Sequence, residues 1–443
     1  MKIVIAGAGE VGTHLAKMLS NEEQDIIIMD IDEKKLAKLE SYNLMTYVGS
    51  AVSFNDLTSV GVGSADLFIA VTPMETRNML ACVLAKRLGA KKTVARIDNA
   101  EFLLQKNRGY FRELGIDNLI YPEQLAAEAI SDALKLSWAR NRFELMDGEL
   151  IVLGVKIRSN SQLCGKRLRE LSDISSFMHI SAIKRNREII IPRGNDVILD
   201  NDIAYIATMS EGIDRVREVC GKQQIETNRV LIVGGNRIAE RLAKIVDDDI
   251  HIKIIEADED RCQALADRLP NCNIVQGDLH NTDLLEEEGV SDYDVFITLG
   301  ESSAVNILGC MTAKAHDVRK TIAEVEDIQY INEAESLNIG TIVNKKLLAS
   351  SHIFQILLDS DASTSKCLAL ADAEVAEIVI KEGSKVTKSD VKDLKLSDEM
   401  TIAGLVRNGD GQLVTGNTRF MAGDHVVVFC LAGAIHKVEK AFK

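Results

Sequence analysis

The 443-residue chain is 46% hydrophobic and 27% charged, the balance of a soluble globular protein with room for about three domains and full cores. Its net charge of −15 and aromatic content of 4% exclude nucleic acid as the main partner, since both phosphate neutralisation and base stacking lack the residues they need. Eight cysteines without a CxxC pair read as free buried thiols in a reducing cytosol; Cys262 and Cys272 have no histidine pair beside them to make zinc. No apolar run approaches the roughly 20 residues of a membrane span, so the chain is not expected to cross a membrane by itself.

The first thirty residues read strand, glycine turn, helix, strand. Ile3 to Ala6 form a short apolar, β-branched run, as in a strand buried on both faces. Gly7, Gly9 and Gly12 follow in GxGxxG spacing. Gly7 suits a tight turn, Gly9 removes a Cβ that would block a pyrophosphate, and Gly12 lets the helix lie close on the strand. The helix then offers free N–H groups and its positive dipole end to a phosphate. The next strand, Ile26 to Met29, ends in Asp30, a carboxylate that can accept from both ribose hydroxyls and repel a 2′-phosphate. NAD or an adenine nucleotide therefore fits better than NADP. A signal-peptide reading of Met1-Lys2 and the apolar run fails, because Glu10 interrupts the run and no small-residue cleavage site follows.

The alternation continues. Helices are expected over 34–42, 55–60, 78–88 and 110–114. Strands are expected over 45–48, 67–71, 92–97 and 119–121, which predicts a parallel, doubly wound sheet. The strand ends at Gly7, Asp30, Gly49, Thr72-Pro73 and Arg96 then share one edge, where ligands of such sheets bind. Arg96 is placed there as a charge-assisted phosphate donor. Pro122 opens a helix expected over 123–140 that carries the chain out of this lobe. Strand-like runs at 151–155, 179–184, 189–191 and 203–207, then a helix over 212–219, make a smaller α+β unit with no glycine loop, nucleophile–base pair or catalytic carboxylate cluster.

The chain then repeats itself. RVLIVGGNRIAERLAKIVDDDIHIKIIEAD restates the opening, Glu256 stands for Asp30, and Asn306 answers Asn78. The small unit also returns without a gap, so that Thr401 lies over His179. The second copy departs at the site itself. Asn236 takes the place of Gly9, although asparagine tolerates unusual backbone angles. Ala239 takes that of Gly12, and Glu324 that of Arg96. Asp278 beside Gly277 supplies an acid where the first copy has Ser50. The second site is expected to bind poorly, differently, or only the adenosine end of a ligand.

The ordered series GAGEVG, MD, VGS, ADLFIAVT and VARI, followed by SAIKRNREIIIPRGND and DND and repeated in altered form, resembles the TrkA family over essentially the whole chain. Its members are cytosolic nucleotide-binding regulatory subunits of Trk-type bacterial potassium uptake systems. The resemblance implies an α/β fold of two Rossmann-like doubly wound parallel-sheet domains, each followed by a small α+β TrkA-C domain. The boundaries would be 1–122, 140–222, 228–347 and 361–443. It implies binding of NAD(H) and ATP or ADP, no catalysis, and gating of an integral-membrane Trk-type potassium transporter subunit. It also implies a homo-oligomer, a tetramer, held at the inner face of the membrane through that transporter. Carried onto this sequence, the first nucleotide site would use Gly7, Ala8, Gly9, Glu10, Val11, Asp30, Gly49, Thr72, Pro73 and Arg96, beside Gly12 of the same loop. The second would use Gly234, Gly235, Asn236, Arg237, Ile238, Glu256, Gly277, Asp278, Thr298 and Leu299.

Three other functions compete: a dehydrogenase, a nucleotide sensor and a structural scaffold without ligand. An NAD-dependent dehydrogenase needs a proton donor or acceptor beside the hydride and a domain to hold its substrate. The sequence has no Tyr-x-x-x-Lys, His14 and His179 have no evident acidic partner, and the small unit is slight for a substrate domain. A nucleotide sensor unrelated to transport would share the loops but have no membrane partner.

Overall fold

The computed structural model describes every residue except 21–23, 175, 187, 225, 279–281, 359–365, 371–372, 395, 432–433, 435–436, 439–441 and 443. The start expected for the last domain, residue 361, lies outside the described residues. The chain divides into one unit of residues 1–127 with 344–360, and a second of 128–343 with 361–443.

The first unit runs β1 (Lys2–Ala6), α1 (Glu10–Ser20), β2 (Asp25–Asp30), α2 (Glu33–Ala37), β3 (Met45–Val48), α3 (Phe54–Ser59), β4 (Leu67–Ala70), α4 (Glu75–Leu88), β5 (Lys92–Arg96), α5 (Gln105–Glu113) and β6 (Asn118–Ile120), then enters α6 (Pro122–Lys135). The strands form one parallel sheet in the order β3-β2-β1-β4-β5-β6. Apolar side chains of β1 and β4 are fully buried because helices cover both faces of the sheet. The strand order reverses between β1 and β4, which opens the crevice at the carboxyl edge.

Three expectations need correction. The helix expected over 34–42 stops at Ala37. Leu39 and Glu40 donate to carbonyls three residues back, at 2.9 and 3.5 Å, so the chain tightens out of the α-helix while Leu39 stays buried. The helix expected over 123–140 ends at Lys135, because Trp138 and Ala139 turn into the core of the small lobe. The next residues form β7 (Asn141–Leu145), an edge strand on β8 (Leu150–Lys156) that has no counterpart among the expected strands.

The small lobe continues with β9 (His179–Arg185), β10 (Glu188–Ile190), β11 (Ile203–Thr208) and α7 (Ile213–Val219). The second parallel lobe follows as β12 (Arg229–Val233), α8 (Arg237–Ile245), β13 (His251–Glu256), α9 (Glu259–Arg268), β14 (Asn273–Gln276), α10 (Thr282–Glu287), β15 (Val295–Thr298), α11 (Ser303–Ala315), β16 (Lys320–Glu324), α12 (Gln329–Ser336) and β17 (Thr341–Val343). Its order, β14-β13-β12-β15-β16-β17, repeats that of the first lobe. α13 (Lys345–Leu358) belongs to the first unit, where Lys346 pairs with Glu10 of α1. The last lobe comprises β18 (Lys366–Leu370), β19 (Ala373–Val379), β20 (Met400–Arg407), β21 (Asp410–Leu413) and β22 (His425–Leu431).

The small lobes repeat in chemistry as well as in strand order. Arg185 forks onto Asp202 at 2.9 and 2.8 Å, and Arg407 forks onto Asp424 at 2.8 and 2.7 Å. In the second pair the Arg407 guanidinium helps hold the Asp424 carboxyl below its usual range, against the opposing effect of burial. His179 Nε2 lies 3.3 Å from Thr401 Oγ1, its counterpart in the other copy. Equivalent positions meet only when two copies face each other about a local two-fold. Val152, Ala182 and Tyr205 share one core with Val375, Ala403 and Phe429.

Lys320, buried at the start of β16, holds the end of α6. Its Nζ donates to the carbonyls of Ala133 (2.6 Å), Leu136 (3.2 Å) and Ser137 (3.1 Å), where the helix dipole favours a cation. Burial outweighs this and pushes the ammonium down to about 7 from 10.5. Between those values the unfolded chain holds more protons, so stability from this group rises with pH from 7 to 10.5, and the cost of the buried charge is fully present below 7. The denaturation midpoint of the wild-type chain relative to Lys320→Met is therefore expected to increase from pH 7 to pH 10. A difference that does not change with pH would mean that Lys320 remains an ammonium throughout.

Candidate functional site

At the carboxyl edge of the first sheet the fold itself accounts for two of the three loop glycines. Gly7 has φ +110°, and a Cβ there would meet Thr72 N at 3.0 Å. A Cβ on Gly12 would lie 1.9 Å from Gly7 O, so α1 could not approach β1. Gly9 is different. A Cβ there would have nothing within 4 Å, so neither packing nor backbone angle demands glycine. An open surface over the start of a helix is the cradle that a phosphate needs, and Gly9 has no side chain with which to cap that helix.

Asp30 is fixed by the same loop. Its Oδ2 accepts from Ala8 N at 2.7 Å and its Oδ1 from Asp32 N at 2.9 Å. Each carboxylate oxygen can accept further bonds, which suits a pair of ribose hydroxyls. Gly49 N donates to the Asp30 carbonyl at 3.0 Å, and the ring of Tyr47 leaves no space for a Cβ on Gly49. Thr72 and the exposed Pro73 stand on the far side of the crevice. The Ala8 and Val11 side chains are buried and that of Glu10 is drawn to Lys346, which leaves these three positions their main-chain groups to offer. The Arg96 guanidinium reaches the edge 3.9 Å from Glu123 Oε1. The other Glu123 oxygen is buried without a hydrogen-bond partner.

Asn78 orders this edge, and the sequence marks it only as a repeated residue. Fully buried, it accepts at Oδ1 from Thr72 N (2.9 Å) and Thr72 Oγ1 (2.6 Å). Its Nδ2 donates to the carbonyls of Thr72 and Arg96, both at 2.9 Å. One amide thus ties together the ends of β4 and β5. Asn306 repeats the clamp on Gly300 and on the Glu324 carbonyl. The only sequence signal was the recurrence of an asparagine within a helix.

The second edge closes on itself. Gly234 keeps φ +104°. Glu256 is buried and accepts from Gly235 N at 2.7 Å and Asp258 N at 3.0 Å. Asn236 has ordinary extended backbone, φ −78°, rather than unusual angles. Its Oδ1 caps α8 by accepting from Ile238 N (2.9 Å) and Ala239 N (3.1 Å), while Nδ2 donates to Leu299 O (2.9 Å) and Glu324 Oε2 (3.2 Å). An internal side chain therefore occupies the helix terminus that a phosphate would use. Arg237 and Asp278 are exposed, Ile238 is in the core, and Gly277 packs against Leu284. Thr298 offers no open group at the edge. It is the last residue of β15, fully buried, with its hydroxyl donating to the Asn306 carbonyl at 3.1 Å. Gly300 fills the role of Thr72, and Thr298 and the buried Leu299 precede it. The helix start of the first lobe is open at Gly9, and that of the second is filled by the Asn236 side chain.

The family model described as the TrkA-N domain matches residues 3–122 and 230–345, and that of the TrkA-C domain matches 152–221 and 375–443. The chain belongs to the TrkA family. It is 30% identical to the Trk system potassium uptake protein TrkA homolog of Archaeoglobus fulgidus, covering 100% of both chains. To the Trk system potassium uptake protein TrkA of Haemophilus influenzae it is 29% identical, over 100% of this chain and 99% of that one. In fold it is similar to the GsuK channel bound to NAD, at a TM-score of 0.61 and 16% identity, covering 100% of this chain and 78% of that chain. The GsuK RCK domain gives a TM-score of 0.62 at 14% identity, covering 100% of this chain and 94% of that one.

Proposed function

We propose that this chain is a regulatory subunit of a potassium uptake system, and that it converts nucleotide binding into a change in ion flow through a separate membrane protein. Family membership supports the transport setting. The observation that carries the nucleotide reading is Gly9, a glycine with no structural need to be one, above a helix start and across the loop from Asp30. The main-chain N–H groups after Gly9 would take the phosphates of NAD(H), ATP or ADP, Asp30 the ribose hydroxyls, and Arg96 a phosphate oxygen. The nucleotide acts as a signal in this reading, so no proton donor or substrate domain is required. Among the described residues no helix is long and apolar enough to cross a membrane, which is why the effect on flux is assigned to a partner. A homo-oligomer, in the family's manner a tetramer on the inner face of the membrane, would let several lobes act on one transporter.

A ligand shifts such an assembly only by binding its two forms unequally. A coupling of about 1–3 kcal/mol changes opening roughly 5- to 150-fold. The experiment is potassium flux through the partner transporter in vesicles, with this protein added and NADH, ATP and ADP varied. Flux is expected to depend on the nucleotide. Flux that ignores every nucleotide, with binding verified, would reject the reading.

A further inference from the structure

Away from both sheet edges, within the second unit, cationic side chains from separate elements converge on one neutral residue. Asn338 follows α12 with φ +56°. Its Oδ1 accepts from Arg140 Nη2 at 2.9 Å and from Lys156 Nζ at 3.1 Å, and its carbonyl accepts from Lys314 Nζ. Arg158 repels Arg140, Lys156 and Lys314, and Lys222 is repelled by Arg158 and Arg140. Burial pushes Lys156 down to about 8, with Arg140, Arg158 and Lys314 adding to the shift. Lys222 and Lys314 are lowered first by burial and then by the neighbouring arginines. Two carboxylates act on the group, Glu335 on Arg140 and Asp200 on Lys156, and each is also bonded to another residue. Glu335 holds Lys184 at 2.8 Å, and Asp200 accepts from Asn201 Nδ2 at 2.7 Å while Asn201 Oδ1 accepts from Arg158 at 2.8 Å.

A neutral amide satisfies the directions of these donors but not their charge. Two cations bonded to one oxygen repel each other, and half-burial makes that repulsion stronger than it would be in water. In a chain of net charge −15 such a concentration of positive charge is costly unless something balances it. We propose that this junction binds a small, soluble, phosphate-bearing anion, held by Arg140, Lys156 and Lys314 with Arg158 and Lys222 as further charges. A phosphate matches several converging donors and the arginine fork better than a single carboxylate does. The half-buried position between lobes suits a soluble anion rather than a flat lipid surface. Arg140 lies just beyond α6, while Lys314 and Asn338 belong to the second nucleotide lobe. An anion here would therefore stiffen the junction between that lobe and the first small lobe.

The test uses the full chain with tripolyphosphate and inorganic phosphate as probes, in calorimetry and thermal melting at low salt. Lys156→Gln and Lys314→Gln are each expected to weaken tripolyphosphate binding about tenfold or more, the effect of one charge-assisted hydrogen bond, and to leave ADP binding unchanged. Because each removes a repelling charge, each is also expected to raise the melting temperature without anion while reducing the rise that tripolyphosphate produces. In the wild-type chain, tripolyphosphate should protect Lys156 from acetylation at pH 8. Variants that melt lower and respond to tripolyphosphate like wild type would make the cluster a structural clamp on Asn338 and overturn the proposal. Protection of Lys156 by phosphatidylglycerol vesicles but not by soluble tripolyphosphate would also overturn it.

Discussion

Asp30→Ala is expected to weaken binding of ADP and NADH by roughly tenfold to hundredfold, the effect of losing hydrogen bonds to a charged acceptor, about 1.5–3 kcal/mol. The carboxylate serves the loop as well as the ligand, since Ala8 N and Asp32 N are both bonded to it. Asp30→Ala therefore also loosens the glycine loop. Asp30→Asn separates the two effects, because it keeps one acceptor for Ala8 N while losing charge and one acceptor oxygen. Calorimetry should place it between wild type and Asp30→Ala. Unchanged affinity in Asp30→Ala would remove the ribose assignment, and with it the physical reason to prefer NAD over NADP. If the gating reading holds, the nucleotide dependence of potassium flux should move to higher ligand concentration by the same factor.

Much of this site was legible because a parallel lobe places its ligand groups at strand ends, and strand ends can be counted from apolar runs and glycines. Gly7, Gly9, Asp30 and Arg96 follow from that counting alone. The repeat was equally legible, since it is a pattern of sequence against sequence. What escaped was whatever depends on distant main-chain groups. Asn78 closes its clamp on the carbonyl of Arg96, 18 residues away, and nothing local marks an asparagine as a clamp. Nor does anything local stop α6 at Lys135: the helix ends because Trp138 finds a core that forms only when the small lobe folds. Thr298 comes with the resemblance rather than from counting a strand end; in the structure Gly300 takes the contact that Thr72 makes, and the buried Thr298 hydroxyl is satisfied by a carbonyl of α11.

The wild-type chain is expected to bind one adenine nucleotide tightly, in the first lobe, with any second event much weaker. Two features oppose binding in the second lobe, and they are separable. Asn236 already caps α8, so a phosphate there must displace two hydrogen bonds. Glu324, only 2% exposed, places a carboxylate where the first lobe has Arg96. A carboxylate about 5 Å from a phosphate charge costs about 3 kcal/mol at an effective dielectric near 20, roughly a hundredfold in affinity. In an Asp30→Ala background, which weakens the first site, Asn236→Gly should change little alone, because Glu324 still repels. Glyine in place of a capping asparagine costs the helix only a few tenths of a kcal/mol, so the variant should fold. Glu324→Gln alone should give a modest gain, because Asn236 still fills the helix terminus. The double variant is expected to bind ATP at least about tenfold more tightly than either single variant. Two equal binding events in the wild-type chain would refute the asymmetry. A double variant no better than its parents would leave the charge at Glu324 irrelevant and move the obstacle to the shape of the crevice, where Leu265 crowds Gly235 and Leu284 crowds Gly277.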